Sequence, residues 1–219
     1  MVAAIDYSVY LVLDPAHVGQ RDPISVAEGA VEGGVRVVQL RCKGDARSYF
    51  ELAQRLQKRL ERVGVPLIVN DRADVALAAR ASGVHVGQDD LPPEAVRQML
   101  GDQAIVGLSV TNTAEARATD CGAIDYAGVG PIFPTPSKQD AAPAMGLEAL
   151  AESCRALAVP VVAIGGITVE RVADVIRAGA QGVAVISAIC SAADPAGAAS
   201  ALVDAVSSAR LALLGRSVR

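Results

Sequence analysis

Eight short, β-branched apolar runs recur along the chain, at residues 9–13, 35–40, 66–69, 84–86, 105–108, 126–129, 161–164 and 183–186. They are apolar nearly throughout and do not alternate, which is the pattern of strands buried on both faces, as in a parallel sheet. The intervening segments carry helical period. Leu52, Leu56, Leu60 and Val63 form one stripe, and Leu202, Ala205, Val206, Ala209 and Leu213 another, each at the three-and-four spacing of one helix face. Helix starts are also written in the chain: Asp22-Pro23 and Asp194-Pro195 pair a capping side chain with proline at the first helical position, and Asn112 with Glu115 has the spacing of a capping box. Gly34, Gly64, Gly83, Gly122 and Gly182 stand between a helix and the next strand, where a left-handed residue stops a helix.

Eight strand-then-helix units without a Pro- or Ser-rich linker predict an α/β fold, a closed (β/α)8 TIM barrel forming a single domain over residues 1–219. The alternative is a doubly wound open sheet. That fold usually places GxGxxG after its first strand, whereas here the first run leads into Asp14-Pro15-Ala16.

Composition narrows the function classes. With 52% hydrophobic and 20% charged residues, the chain can bury a core large enough to offset its conformational entropy. No run reaches 18 uninterrupted apolar residues and the N-terminus lacks a basic-then-apolar leader, so a soluble, cytoplasmic protein is expected. A net charge of −4, two Phe, four Tyr and no Trp leave neither a basic face nor stacking aromatics for nucleic acid. Cys42, Cys121, Cys154 and Cys190 form no CxxC pair and read as reduced thiols.

In a barrel of this kind the active site lies at the C-terminal ends of the strands. There the chain places Gln39, Arg41, Cys42 and Lys43 after the second run, Asn70 and Asp71 after the third, Asp89 and Asp90 after the fourth, and Ser109 after the fifth. A long loop with Thr135, Ser137 and Lys138 follows the sixth, Gly165-Gly166 the seventh and Ser187 the eighth. Two glycines and a serine at the last two ends suit a phosphate cup, since bare backbone amides can approach a ligand closely. The bland counterpart is a tight turn with Thr168 capping the next helix. Asp71 and one of Asp89 or Asp90 suit Mg2+, which takes one or two carboxylates and completes its shell with water and phosphate oxygens. Each is equally placed to cap a helix, Asp71 the one around residues 75–79 and Asp90 the one near Pro92. Arg41, Lys43 and Lys138 would meet a polyanion at the same rim. His85 lies inside an apolar run and reads as structural. No nucleophile elbow or metal-protease motif occurs, so the chemistry needs no protein nucleophile.

These segments, taken in order, resemble the thiamine phosphate synthase family: Gln39-Leu40-Arg41-Cys42-Lys43, Val69-Asn70-Asp71-Arg72, the stretch 83–91, Gly130-Pro131-Ile132-Phe133-Pro134-Thr135 with Ser137-Lys138, Ile164-Gly165-Gly166-Ile167 and Val185-Ile186-Ser187. The resemblance implies condensation of hydroxymethylpyrimidine diphosphate with hydroxyethylthiazole phosphate, through a carbocation formed as pyrophosphate leaves. It implies Mg2+ on Asp71 and Asp90, and pyrophosphate contacts from Arg41, Lys43, Asn70, Ser109 and Lys138, with Arg41, Lys43, Ser109 and Lys138 the catalytic set. It further implies that Gln39 meets the aminopyrimidine, and that Thr135, Ser137, Gly166, Ile186 and Ser187 hold the thiazole phosphate. The expected partners are these two small molecules, with no membrane or nucleic acid and a homodimer left open. Two positions depart from the family pattern: Cys42, where an acidic residue is frequent, puts an ion pair in doubt, and Thr111 stands where a His is frequent. A thiazole tautomerase of the same superfamily would be expected to keep that His, and a non-catalytic binding barrel would need the cup but not Asp71, Asp90 and Lys138.

Overall fold

The computed structural model of the chain describes residues 5–137 and 142–215. Strands β1 (Val9–Leu13), β2 (Val37–Leu40), β3 (Leu67–Asn70), β4 (Gly83–Val86), β5 (Ile105–Val110), β6 (Tyr126–Val129), β7 (Val161–Ile164) and β8 (Gly182–Val185) pair in parallel, each with the next. The circle closes where β8 pairs with β1. The predicted barrel is therefore present.

Helices α1 (Pro23–Glu32), α2 (Ala46–Leu60), α3 (Ala73–Ala79), α4 (Pro93–Leu100), α5 (Thr113–Ala118), α6 (Gly146–Ala156), α7 (Val169–Arg177), α8 (Ser187–Cys190) and α9 (Pro195–Leu214) form the outer layer. Alternate strand residues serve two cores. Leu11, Leu13, Val38, Leu40, Leu67 and Val69 point outward to the helices, while Tyr10, Val12, Val37, Ile68, Tyr126, Val162 and Ala184 fill the barrel. Burial of both sets is why the strands read as unbroken apolar runs.

Local signals act largely as expected. Asp22 accepts from the Ile24 amide at 3.3 Å, and Asp194 from that of Ala196 at 3.1 Å. Asn112 accepts from the Glu115 amide at 2.9 Å, but Glu115 returns its bond to the Thr111 amide, at 2.6 Å, so the box closes one residue early. In α2, Asp45 caps the first turn and Leu56 and Leu60 are fully buried. A cap is worth about 1 kcal/mol and each buried leucine roughly 1.5–3 kcal/mol, so packing anchors this helix more than its start does. The stripe ends at Leu60: Val63 lies in a 3-10 turn and is 60% exposed.

Two of the expected helix stops have another purpose. Gly34 and Gly64 are left-handed, whereas Gly83 and Gly182 are the first residues of β4 and β8. A Cβ there would lie 1.9 Å from the Ile105 carbonyl oxygen and 1.7 Å from that of Tyr7, so bare backbone is needed for the strands to approach. The left-handed residues before these strands are Arg80 and Gly179, and Gly122 has no positive φ. Helix α9 is long and apolar enough, by length and composition, to cross a membrane. Its Ala199, Leu202, Val206 and Ala209 stripe is buried in the outer layer, where it packs on α1 and α7.

Candidate active site

The C-terminal strand ends surround a cavity lined by Gln39 from β2 and Arg41 just beyond it, Asn70 from β3, Ser109 from β5 and Thr111 just beyond it, and Thr135 and Ser137 from the loop after β6. Gly165, Gly166, Ile186 and Ser187 complete the far side, and Val12, Val162, Ile164 and Ala184 give it apolar walls. Nine of the predicted residues thus meet in one place. Lys43 is exposed in the loop between β2 and α2 and is not among the residues that line this cavity. Asp71 and Asp90 stand exposed on the rim outside the lining, and Lys138 falls outside the described residues.

Register positions the cations' partners. Leu13 pairs with Leu40, so Asp14 and Arg41 emerge side by side from β1 and β2. The Asp14 carboxylate accepts from Arg41 Nη1 at 2.6 Å, and Arg41 is only 12% exposed. Asp14 also accepts from the Ala16 amide at 2.9 Å, which fixes the carboxylate. The acidic neighbour that Cys42 does not supply thus comes from the adjacent strand. The same inspection of strand ends that found Arg41 passes over Asp14 unless the two strands are known to be in register. Tyr49, buried in α2, reaches the Leu40 carbonyl at 2.6 Å and accepts from the Asn70 amide at 3.1 Å, tying β2 to β3 beneath the site.

Neither rim aspartate holds an N-cap position, which falls to Arg72 for α3 and Pro92 for α4. Asp71 has φ +62°, a left-handed conformation uncommon outside glycine, and its amide donates to the His85 carbonyl at 2.8 Å. Asp90 folds back to accept from the Gly87 amide at 2.7 Å, while α4 starts from Pro92 without a side-chain cap. Likewise Thr168 stands at the start of α7 but makes no capping bond. Across the mouth, Gly165 and Gly166 are both left-handed, and Cβ atoms there would lie 2.5 Å from Pro131 Cβ and 2.7 Å from the Pro134 carbonyl. The Ser137 and Ser187 hydroxyls lie 3.2 Å apart on the same side of the cavity.

Inside the barrel, where Tyr10, His85 and Tyr126 also line the cavity, runs a chain of side-chain hydrogen bonds. Gln39 Nε2 donates to Tyr10 Oη at 2.9 Å, and Tyr10 Oη is 2.7 Å from Tyr126 Oη. His85 Nδ1 lies 2.9 Å from Tyr126 Oη, and its Nε2 lies 2.9 Å from Ser109 Oγ. Burial pushes the Tyr10 and Tyr126 phenols far above their ordinary range, so both stay protonated. His85 is buried and bonded, as the sequence implied, but it also lines the cavity and is joined to Ser109 there, which periodicity alone does not reveal.

The fold and this site define an α/β-barrel enzyme that handles phosphorylated small molecules at its strand ends. The family model described as thiamine monophosphate synthase matches residues 9–189. The thiamine-phosphate synthase of Xanthobacter autotrophicus is 48% identical over 211 residues, covering 96% of this chain and 100% of that one. That of Roseiflexus sp. is 50% identical over 203 residues, covering 92% and 86%. The solved thiamine phosphate pyrophosphorylase of Pyrococcus furiosus superposes with a TM-score of 0.83 at 30% identity, covering 94% of this chain and 98% of that one. The chain belongs to the thiamine monophosphate synthase family.

Proposed function

We propose that this cavity condenses hydroxymethylpyrimidine diphosphate with hydroxyethylthiazole phosphate, giving thiamine phosphate and pyrophosphate. One observation carries the reading: two polar arcs face each other across an apolar mouth, Gln39, Arg41, Asn70 and Ser109 on one side and Ser137, Gly166 and Ser187 on the other. Two phosphorylated substrates need two such arcs.

The first arc takes the diphosphate, and the cup takes the thiazole phosphate. Held this way, the thiazole nitrogen and the pyrimidine methylene are brought together, which removes much of the entropic barrier. As the bond to pyrophosphate breaks, Arg41, Asn70 and Ser109 donate to the oxygens that gain charge, and the apolar walls keep water from the carbocation. Lys43, in the loop after β2, is assigned to the same leaving group, as is Lys138, which lies outside the described residues. None of the four cysteines lines the cavity, in keeping with a reaction that needs no covalent enzyme intermediate.

Asp71 and Asp90 would hold Mg2+. Two exposed carboxylates beyond the neighbouring strands β3 and β4 suit an ion that takes one or two carboxylates and completes its shell with diphosphate oxygens. Bound there, Mg2+ would offset negative charge on the departing pyrophosphate.

The test is direct: purified protein, both substrates and Mg2+, with pyrophosphate and thiamine phosphate measured together. Equal amounts of each are expected. Thiamine phosphate binding without pyrophosphate release would favour the non-catalytic barrel.

A further inference from the structure

The hydrogen-bond chain along the cavity wall has a direction. Each tyrosine has one hydrogen to give, and a neutral imidazole has one donor and one acceptor nitrogen. With Gln39 Nε2 donating to Tyr10, the Tyr10 hydrogen goes to Tyr126, the Tyr126 hydrogen to His85 Nδ1, and the His85 Nε2 hydrogen to Ser109. Every bond in the chain is then made. The opposite sense from His85 to Tyr10 would bring two hydrogens to Tyr10 Oη and leave its own without an acceptor in this chain, in a residue that is 1% exposed.

This sense has a consequence at the mouth. Ser109, having accepted from His85, has its own hydrogen to donate toward the cavity. Phosphate oxygens only accept, so this is the state a diphosphate requires. At the other end Gln39, having given a hydrogen inward, presents its carbonyl oxygen to accept from the amino group of an aminopyrimidine. Both ends of one substrate favour the same sense.

Space for the chain is specifically provided. A Cβ on Gly107 would lie 2.2 Å from Tyr126 Cζ and 2.5 Å from His85 Nδ1, and one on Gly128 would lie 2.9 Å from His85 Cε1. Any other residue at Gly107 would displace the Tyr126–His85 pair.

We propose that Tyr10, Tyr126 and His85 are positioning residues: a one-way hydrogen-bond chain from Gln39 that fixes Ser109 as a donor to the departing pyrophosphate. The inference rests on the condensation assigned above. It also separates Ser109 from a nucleophile activated by His85, since in such a pair the serine donates to the imidazole and the Nε2 hydrogen is absent.

Two measurements decide it. The chain has two histidines, so 15N spectra of labelled protein, with His17→Asn for assignment, report the His85 tautomer in the presence of magnesium pyrophosphate. The expected form carries its hydrogen on Nε2; a hydrogen on Nδ1, or an average of both, overturns the proposal. The second is a double-mutant cycle. Ser109→Ala and Tyr126→Phe should each lower kcat by roughly tenfold or more, the worth of one hydrogen bond to a charged group, with little change in KM for thiazole phosphate. The double variant should be scarcely worse than either single one, because both remove the same donor. Additive losses would make Tyr126 merely structural and sink the idea. Tyr7→Phe, which removes a hydroxyl outside the chain, is the control and should leave kcat unchanged. A wild-type protein that makes no thiamine phosphate would defeat the functional reading, while the tautomer would still report the sense of the chain.

Discussion

Asp14 and Arg41, the first residues beyond β1 and β2, form a 2.6 Å ion pair in which neither side chain is more than 12% exposed. A guanidinium held in this way reaches an anionic ligand already oriented, which is where a transition-state contact gains over a surface lysine. Asp14→Asn keeps the shape and the bond to the Ala16 amide but removes the charge. It should cost on the order of 3 kcal/mol of stability, the usual penalty for leaving one buried charge unpaired, and lower kcat/KM about tenfold or more. Pyrophosphate should recover part of the lost melting temperature by supplying a new anion to Arg41. Melting curves with and without pyrophosphate check this, and an unchanged Tm would show that the pair contributes little.

Tyr7 presents the reverse case. Its hydroxyl is buried and has no hydrogen-bond partner among the described residues, while its ring stacks on Tyr126 with centroids 4.9 Å apart. Tyr7→Phe keeps the stacking and removes the unsatisfied group, so it should stabilise the fold by about 1 kcal/mol. That corresponds to a rise of roughly 2–4 °C in a protein of this size. A clear loss in the urea midpoint would mean that the hydroxyl has a partner.

All four tyrosines, Tyr7, Tyr10, Tyr49 and Tyr126, have phenols raised by burial. The unfolded chain releases these protons near pH 10, whereas the folded chain holds them, so above that pH the unfolded state binds fewer protons. Stability should therefore be insensitive to these groups below about pH 9 and fall as pH rises past the unfolded value. Ultraviolet titration should show no tyrosinate until the alkaline unfolding transition, where all four ionise together. Tyrosinate appearing gradually in folded protein would contradict the burial of the barrel core.

The same geometry explains what the sequence could and could not reveal. Strands were legible because burial on two faces writes continuous apolar runs, and caps such as Asp22 and Asp194 act within two residues of themselves. Gly83 and Gly182 misled because their reason is the approach of Ile105 and Tyr7, distant in the chain. The left-handed stop before β4 fell to Arg80, a residue type with no such preference. At the site, Gln39, Asn70, Ser109 and Gly166 could be read from strand ends. Tyr10 and Tyr126 could not, because an inward tyrosine and an outward valine give the same apolar signal.

The rim carboxylates need a substitution that respects their backbone. Asp71 has φ +62°, which asparagine tolerates and alanine does not without strain of about 1–2 kcal/mol. Asp71→Asn and Asp90→Asn should each raise the Mg2+ concentration for half-maximal turnover about tenfold or more, while thermal melts without metal stay near wild type. Asp90→Asn retains an oxygen for the Gly87 amide, so the turn before α4 is kept. Ordinary Mg2+ dependence in either variant would remove that residue from the metal site.

The order of bond breaking is testable through the substrate. If pyrophosphate leaves before the thiazole nitrogen bonds, positive charge develops on the pyrimidine methylene, and the donors Arg41, Asn70 and Ser109 act on the leaving oxygens. Replacing the pyrimidine methyl group by trifluoromethyl withdraws electrons from that centre without altering the diphosphate. The turnover rate should fall by orders of magnitude, while KM for the diphosphate, set largely by the polar arc, changes little. In direct displacement the thiazole nitrogen shares the charge and the substituent matters far less. Rapid-quench measurement of the chemical step with both pyrimidines distinguishes the two. Equal rates, with chemistry limiting, would rule out the dissociative path and make alignment of the thiazole by Ser137, Gly166 and Ser187 the main source of catalysis.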